Sequence, residues 1–152
     1  MAGAPIVHVD SLPRLNGWTV AFVPAGEVDR QSWWQSRLDA AHRHCFAFRA
    51  APGGITQVVN HVGTAMTVEL APVDAAAAAR RFAAKGIRML AAPAVTGEPR
   101  ASLRPAMTCV EVVKALIGVR DWRVCTPRQL AERMMRSGAA VVVVPEPDKG
   151  AS

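Results

Sequence analysis

Apolar and polar positions fall into short runs with strand periodicity, broken by stretches with helical spacing. Trp18-Thr19-Val20-Ala21-Phe22-Val23 is β-branched and aromatic, is bounded by Asn16-Gly17 and Pro24-Ala25-Gly26, and predicts a strand. His44 to Arg49 predicts a second strand, Ala51-Pro52-Gly53-Gly54 a turn, and Ile55 to Asn60 the returning neighbour. Gly63 then interrupts the chain before Thr64 to Leu70, the expected third strand of an antiparallel meander. Alternation with period two sends His44, Phe46 and Phe48 to one face of the sheet, and Cys45, Ala47 and Arg49 to the other. Arg88 to Ala92 and the wholly apolar Ala139 to Val144 are further strand candidates.

Helical segments announce themselves by their ends. Asp29 is a candidate cap for a short helix carrying Trp33, Trp34 and Leu38. Asp74 caps an alanine-rich stretch from Ala75 to Lys85, which Gly86 stops. Three prolines and a glycine between Pro93 and Pro105 predict a loop. After it, Cys109, Val112, Val113 and Leu116 follow i, i+3, i+4 and i+7, so a helix starts at Cys109 with the thiol facing inward from its first turn, and Gly118 ends it. Thr126 followed by Pro127 opens another helix. These elements predict an α+β fold, with an antiparallel sheet packed against the helix of Cys109 in one domain over residues 1–144, and a polar tail over 145–152.

Composition narrows this picture. The chain has 152 residues, 51% of them hydrophobic and 20% charged, which suits a single folded core and excludes a disordered chain. No run of about 18 apolar residues offers a membrane span. The first ten residues lack the basic region and apolar core of a secretory signal, so an intracellular or particle-borne location is expected. Three cysteines cannot all pair within one chain, which argues against a disulfide framework. The net charge of +6 would favour anionic partners. The excess of arginine accompanies an excess of alanine, as in Ala75-Ala76-Ala77-Ala78-Ala79-Arg80-Arg81, and fits a compositional bias. No aromatic-basic platform accompanies the charge, so nucleic acid is not expected as the primary ligand. Phosphate loops, GxSxG and HExxH are absent.

The remaining chemistry centres on Cys109. A thiolate becomes a nucleophile when a helix N-terminus and an imidazole lower its pKa, and the residue types required are an activating base, a polar group orienting that base, and amide donors for an oxyanion. His44 is the candidate base, the first turn of the Cys109 helix offers the amides, and Asn60 would hold the imidazole. Asn60 and His61 face opposite ways on one strand, so only one of them can orient His44, and the hairpin register decides which. Against this stands the packing role that buried cysteines commonly have. His42, His44, Cys45, His61, Cys109 and Cys125 would also supply nitrogen and sulfur for zinc, but their spacing matches no familiar ligand pattern. Cys125, just ahead of the Thr126 cap, reads as a packing residue.

As a set, Arg43-His44-Cys45-Phe46-Ala47-Phe48, the hairpin ending at Asn60, Met107-Thr108-Cys109-Val110-Glu111-Val112-Val113-Lys114-Ala115-Leu116-Ile117-Gly118 and Cys125-Thr126-Pro127-Arg128-Gln129-Leu130 resemble small proteins encoded by tailed bacteriophages. Those proteins are similar to circularly permuted papain-fold enzymes of the NlpC-like group, in which the histidine strand precedes the cysteine helix. The similarity spans about residues 30 to 137. It implies a papain-like fold, Cys109 as nucleophile, His44 as base, Asn60 as the third polar residue, no cofactor, and a location in the host cytoplasm or the virion. The implied reaction is attack on an amide or ester carbonyl, with peptidoglycan peptides the commonest target of the wider group. Phage relatives often carry an acidic residue where Asn60 stands, and the apolar C-terminal segment is unusual for them. The alternative is a non-catalytic virion structural or tail-assembly protein that assembles into an oligomeric particle, with Trp33-Trp34 and Val141-Val142-Val143-Val144 as interface strips.

Overall fold

In the computed structural model, which describes residues 3–27, 38–95 and 108–145, strand β2 (Thr19–Val23) is buried at every position. Such a strand shows no alternation because both of its faces are covered. It lies fourth in a seven-stranded sheet of order β1-β7-β6-β2-β3-β4-β5. The other strands are β1 (Ile6–His8), β3 (His44–Ala51), β4 (Ile55–Val62), β5 (Ala65–Ala71), β6 (Arg88–Ala91) and β7 (Ala140–Val143). Three α-helices complete the described residues: α1 (Ala75–Ala84), α2 (Cys109–Ile117) and α3 (Pro127–Arg136).

The fold is α+β, and its sheet is mixed rather than purely antiparallel. The meander β3-β4-β5 forms as expected, and β2, β3, β6 and β7 pair antiparallel, but β1 runs parallel to β7 with Ile6 opposite Val141 and His8 opposite Val143. A three-residue strand has no periodicity to read, and its partner lies at the other end of the chain. That pairing also corrects the expectation for Val141 to Val144. The segment is not an open apolar strip: β7 is hydrogen-bonded between β6 and β1, and Val142 is buried.

Helices cover both sheet faces. On one side α1 and a 3-10 turn over Val9–Arg14 pack on Phe46, Phe48, Met89 and Val142. The run of alanines lets α1 lie close, so that Phe82 meets Phe46 and Phe48 edge-on at centroid distances of 5.1 and 5.3 Å. On the other side α2 and α3 pack on Phe22, Cys45, Ala47 and Leu90. The alternation predicted for β3 is therefore real: Phe46 and Phe48 belong to the first cluster, Cys45 and Ala47 to the second.

The helix ends follow the sequence closely. Asp74 accepts a 2.8 Å bond from the amide of Ala77, Thr108 caps α2 through the amide of Glu111, and Thr126 and Gln129 form a reciprocal capping box on α3. Gly118 ends α2 in the left-handed conformation at φ 74°. The buried face of α2 is wider than the predicted stripe. Val110, Lys114 and Ile117 are buried, whereas Leu116 is half-buried, because α2 is enclosed by α3 and the 119–125 connection as well as by the sheet. The proposed Asp29 helix with Trp33 and Trp34, most of the Pro93 to Pro105 loop, and the tail beyond Pro145 lie outside the described residues. Among the described residues no helix is long and apolar enough to cross a membrane.

Candidate active site

Three elements bring the chemistry together at one end of the sheet. His44 is the first residue of β3, Asn60 lies near the end of β4, and Cys109 is the first residue of α2, which packs on both strands. The β3-β4 ladder is in register from Ala51 opposite Ile55 to Ala47 opposite Val59. His44 and Asn60 lie beyond its last pair, where side chains rather than backbone bonds join the strands. There the Oδ1 of Asn60 and the Nε2 of His44 are 2.7 Å apart. A carbonyl oxygen only accepts, so Nε2 carries the hydrogen and Nδ1 is left with its lone pair in the neutral imidazole. Of Asn60 and His61, it is Asn60 that makes this bond, whereas His61 lies opposite Met66 in the β4-β5 ladder.

Cys109 is 7% exposed. Its thiol is held down to a pKa of about 4, first by a hydrogen bond from the side chain of Cys45. Burial works against this, and a hydrogen bond and charge from His44 together with the amide of Cys45 reinforce it. His44 is pushed above its usual value. Its burial opposes the charge, but the hydrogen bond and negative charge of Cys109, with the Asn60 bond, outweigh it. Burial drives Cys45 in the opposite direction from Cys109, well above the ordinary thiol range, so it stays protonated. These opposing directions favour a thiolate at Cys109 beside a charged His44, with Cys45 neutral.

The start of α2 adds donors. Thr108 takes the amide of Glu111 with its side chain and that of Val112 with its carbonyl, which leaves the first two amides, of Cys109 and Val110, ahead of the capping bonds. They lie beside the sulfur by covalent connection and carry the positive end of the helix dipole.

Sequence reasoning missed two residues. Cys45 lies on the sheet face opposite Phe46, as alternation predicts, and α2 covers that face, so Cys45 shares an apolar cluster with Cys109 and bears on its charge. Adjacency to His44 was the only available signal. Lys114, which lies outside the predicted stripe of Cys109, Val112, Val113 and Leu116, is 4% exposed and donates to Glu111 Oε1 at 2.8 Å and to the carbonyl of Val124 at 3.1 Å.

Other candidates fall elsewhere. Cys125 is exposed, not packed. Its amide donates to Gln129 Oε1 at 2.9 Å, because it occupies the turn leading into the α3 capping box. His42 pairs with Asp39 at 2.9 Å and meets Phe22 edge-on, and its hydrogen bond lowers the Asp39 carboxyl. Among the described residues no three His, Cys, Asp or Glu side chains gather as a metal would require. A pocket lined by Phe22, His42, Ile87, Arg88, Met135 and Val144 opens at the same end of the sheet and does not include Cys109, His44 or Asn60. Residues 96–107, which lead into Cys109, lie outside the described residues.

No protein-family model, curated protein or solved structure matches this chain.

Proposed function

We propose that the chain is a papain-like thiol hydrolase of the permuted type, associated with a phage and acting on an amide such as a cell-wall peptide bond. The observation that carries this reading is the 2.7 Å bond in which Asn60 Oδ1 accepts from His44 Nε2, which leaves the other ring nitrogen free to serve Cys109, whose thiol is lowered in part by His44. A merely packed cysteine has no need of an oriented imidazole.

The chemistry follows from the charges. The Cys109 thiolate attacks the carbonyl carbon, a C–S bond forms, and the oxygen takes the negative charge beside the amides of Cys109 and Val110. As the tetrahedral species collapses, the C–N bond breaks and the imidazolium gives its Nδ1 proton to the leaving amine, which leaves a thioester. Water then attacks the thioester, and Nδ1 takes one of its protons. The C–S bond breaks, releasing the acid and restoring the thiolate. Asn60 holds the ring throughout.

Hydrolysis of purified peptidoglycan peptides tests this. Release of new amine ends by the parent protein, abolished by Cys109→Ala and by His44→Ala, is the expected result. Equal rates for parent and Cys109→Ala would remove Cys109 from the chemistry. A second reading, a virion protein that works by binding, draws on β5, the sheet edge that exposes Met66, Val68 and Leu70. It predicts no hydrolysis by the parent and no change in assembly for Cys109→Ala.

A further inference from the structure

The sheet has two edges, and only one of them is protected. β1 offers three residues between Pro5 and a 3-10 turn, too few to template another strand. β5 is built differently. It pairs with β4 in unbroken register over all seven of its residues, from Val62 opposite Ala65 to Thr56 opposite Ala71, and among the described residues no strand lies on its outer side. It holds no proline, lysine or arginine, the residues that commonly blunt an edge.

The hairpin turn fixes which residues of β5 face outward. Gly63 and Thr64 form a two-residue turn, with Gly63 at φ 63°, so Val62 and Ala65 make the closing hydrogen-bonded pair. Such pairs alternate along an antiparallel ladder. Ala65, Thr67, Glu69 and Ala71 therefore bond to β4, and the N–H and C=O groups of Met66, Val68 and Leu70 point away from it. The side chains of these same three residues lie on the α2 face of the sheet, since Val68 is opposite Val59 and Val59 is opposite Ala47. All three are more than half exposed.

We propose that β5 is the contact between two copies of this chain, paired antiparallel about a two-fold axis at Val68 so that the two sheets become one. The strand's own sequence selects a second copy as the occupant. Ala65-Met66-Thr67-Val68-Glu69-Leu70-Ala71 matches its reverse in character, with alanine at both ends, large apolar residues next, and polar residues flanking the central valine. Turned about Val68, it sets Ala65 against Ala71, Met66 against Leu70 and Thr67 against Glu69 of the second copy. The Val68–Val68 and Met66–Leu70 pairs then each exchange two N–H···O bonds, their side chains meet on the α2 face, and the Thr67 hydroxyl is placed to donate to the Glu69 carboxylate. Other registers are worse. An axis at Glu69 opposes like charges, and an axis at Thr67 runs the end of the strand into the Gly63-Thr64 turn. The contact is isologous, so it closes at two copies. A standard interface removes about 800 Å² per partner from water, more than three half-exposed side chains hold, so the dimer is reversible and concentration-dependent. It does not depend on the chemistry of Cys109.

Val68 meets itself only in this arrangement, so charge at that position reads both the axis and the register. Sedimentation equilibrium of the full chain is measured for the parent, for Val68→Lys, for Val68→Glu and for an equimolar mixture of the two variants. The expected result is a monomer-dimer equilibrium for the parent and self-association at least about tenfold weaker for each variant alone, because each change enters the dimer twice and sets like charges opposite one another. The mixture is expected to form a heterodimer at least as readily as the parent dimerises. A parent that stays monomeric up to about 1 mM overturns the proposal, as does association that both variants retain, which would belong to another surface. Variants that dissociate alone and do not recombine on mixing overturn the axis at Val68. Loss of the fold in both variants, read by circular dichroism, means that β5 is covered within its own chain and overturns the proposal too.

Discussion

At the residue scale, the proposed hydrolase would work through a thiolate-imidazolium pair, and the limits of that pair set a pH profile. The thiolate is lost as pH falls through about 4, and the imidazolium is lost as pH rises through the elevated pKa of His44. kcat/KM for amide hydrolysis is therefore expected to rise across the first and fall across the second, the two limbs belonging to the pair as a unit. Asn60→Ala removes one of the contributions that raise His44, so its falling limb moves to lower pH. It also frees the ring to rotate. Loss of a hydrogen bond to a charged group is worth about 1.5–3 kcal/mol, hence a fall of roughly ten- to a hundredfold in kcat/KM. An alkaline limb unmoved in Asn60→Ala, measured by steady-state rates from acid to alkaline pH, would separate Asn60 from the chemistry. His44 and Cys109 were legible in the sequence because each opens an element, a position the chain marks with turn and cap residues. The part of Cys45 was not, since alternation gives its face but only the packing of α2 on that face brings Cys109 into the same cluster.

At the scale of elements, α2 carries both Cys109, the proposed nucleophile, and an ion pair that fastens the helix. Lys114 reaches Glu111 on its own helix and the carbonyl of Val124 in the connection to α3, so the sheet-facing helix is tied to the 119–125 segment. The geometry of Cys109 depends on this, because a helix free to slide would move the sulfur relative to β3. Lys114→Met keeps the apolar stem and strands the Glu111 carboxylate and the Val124 carbonyl. A cost of about 3 kcal/mol in urea unfolding is expected, with part of it recovered in the Lys114→Met/Glu111→Leu double variant. A single-variant loss below about 1 kcal/mol would mean that water already satisfies these groups. Predicted boundaries for α1, α2 and α3 agree with the structure within a residue or so, since the caps at Asp74, Thr108 and Thr126 are local contacts between residues three apart. The buried face of α2 was less legible: Ile117 and Lys114 replace Leu116 because a second helix and a connection, not the sheet alone, enclose it.

At the scale of the molecule, three layers protect the central strands and leave the sheet edges exposed. β5 is the longer edge strand, and Met66, Val68 and Leu70 project from it, Leu70 with 65% of its surface exposed. Exposed apolar residues on an unpaired edge promote association. Val68→Lys is expected to change unfolding free energy by less than about 0.5 kcal/mol while lowering self-association in sedimentation at high concentration. A loss above about 2 kcal/mol would instead mean that this strand is covered within its own chain. What the sequence by itself determined is local: the meander of β3, β4 and β5, the polyalanine helix, the capped helix starting at Cys109, and the alternation that divides Phe46 and Phe48 from Cys45 and Ala47. Each depends on residues a few positions apart, through propensity, capping and period. Only the tertiary structure decided that β1 joins β7 in parallel, that Asn60 rather than His61 meets His44, and that Cys45 and Cys109 share one buried cluster. Those outcomes depend on register and on pairings between distant segments, where a slip of one residue reverses every face and no local pattern carries the information.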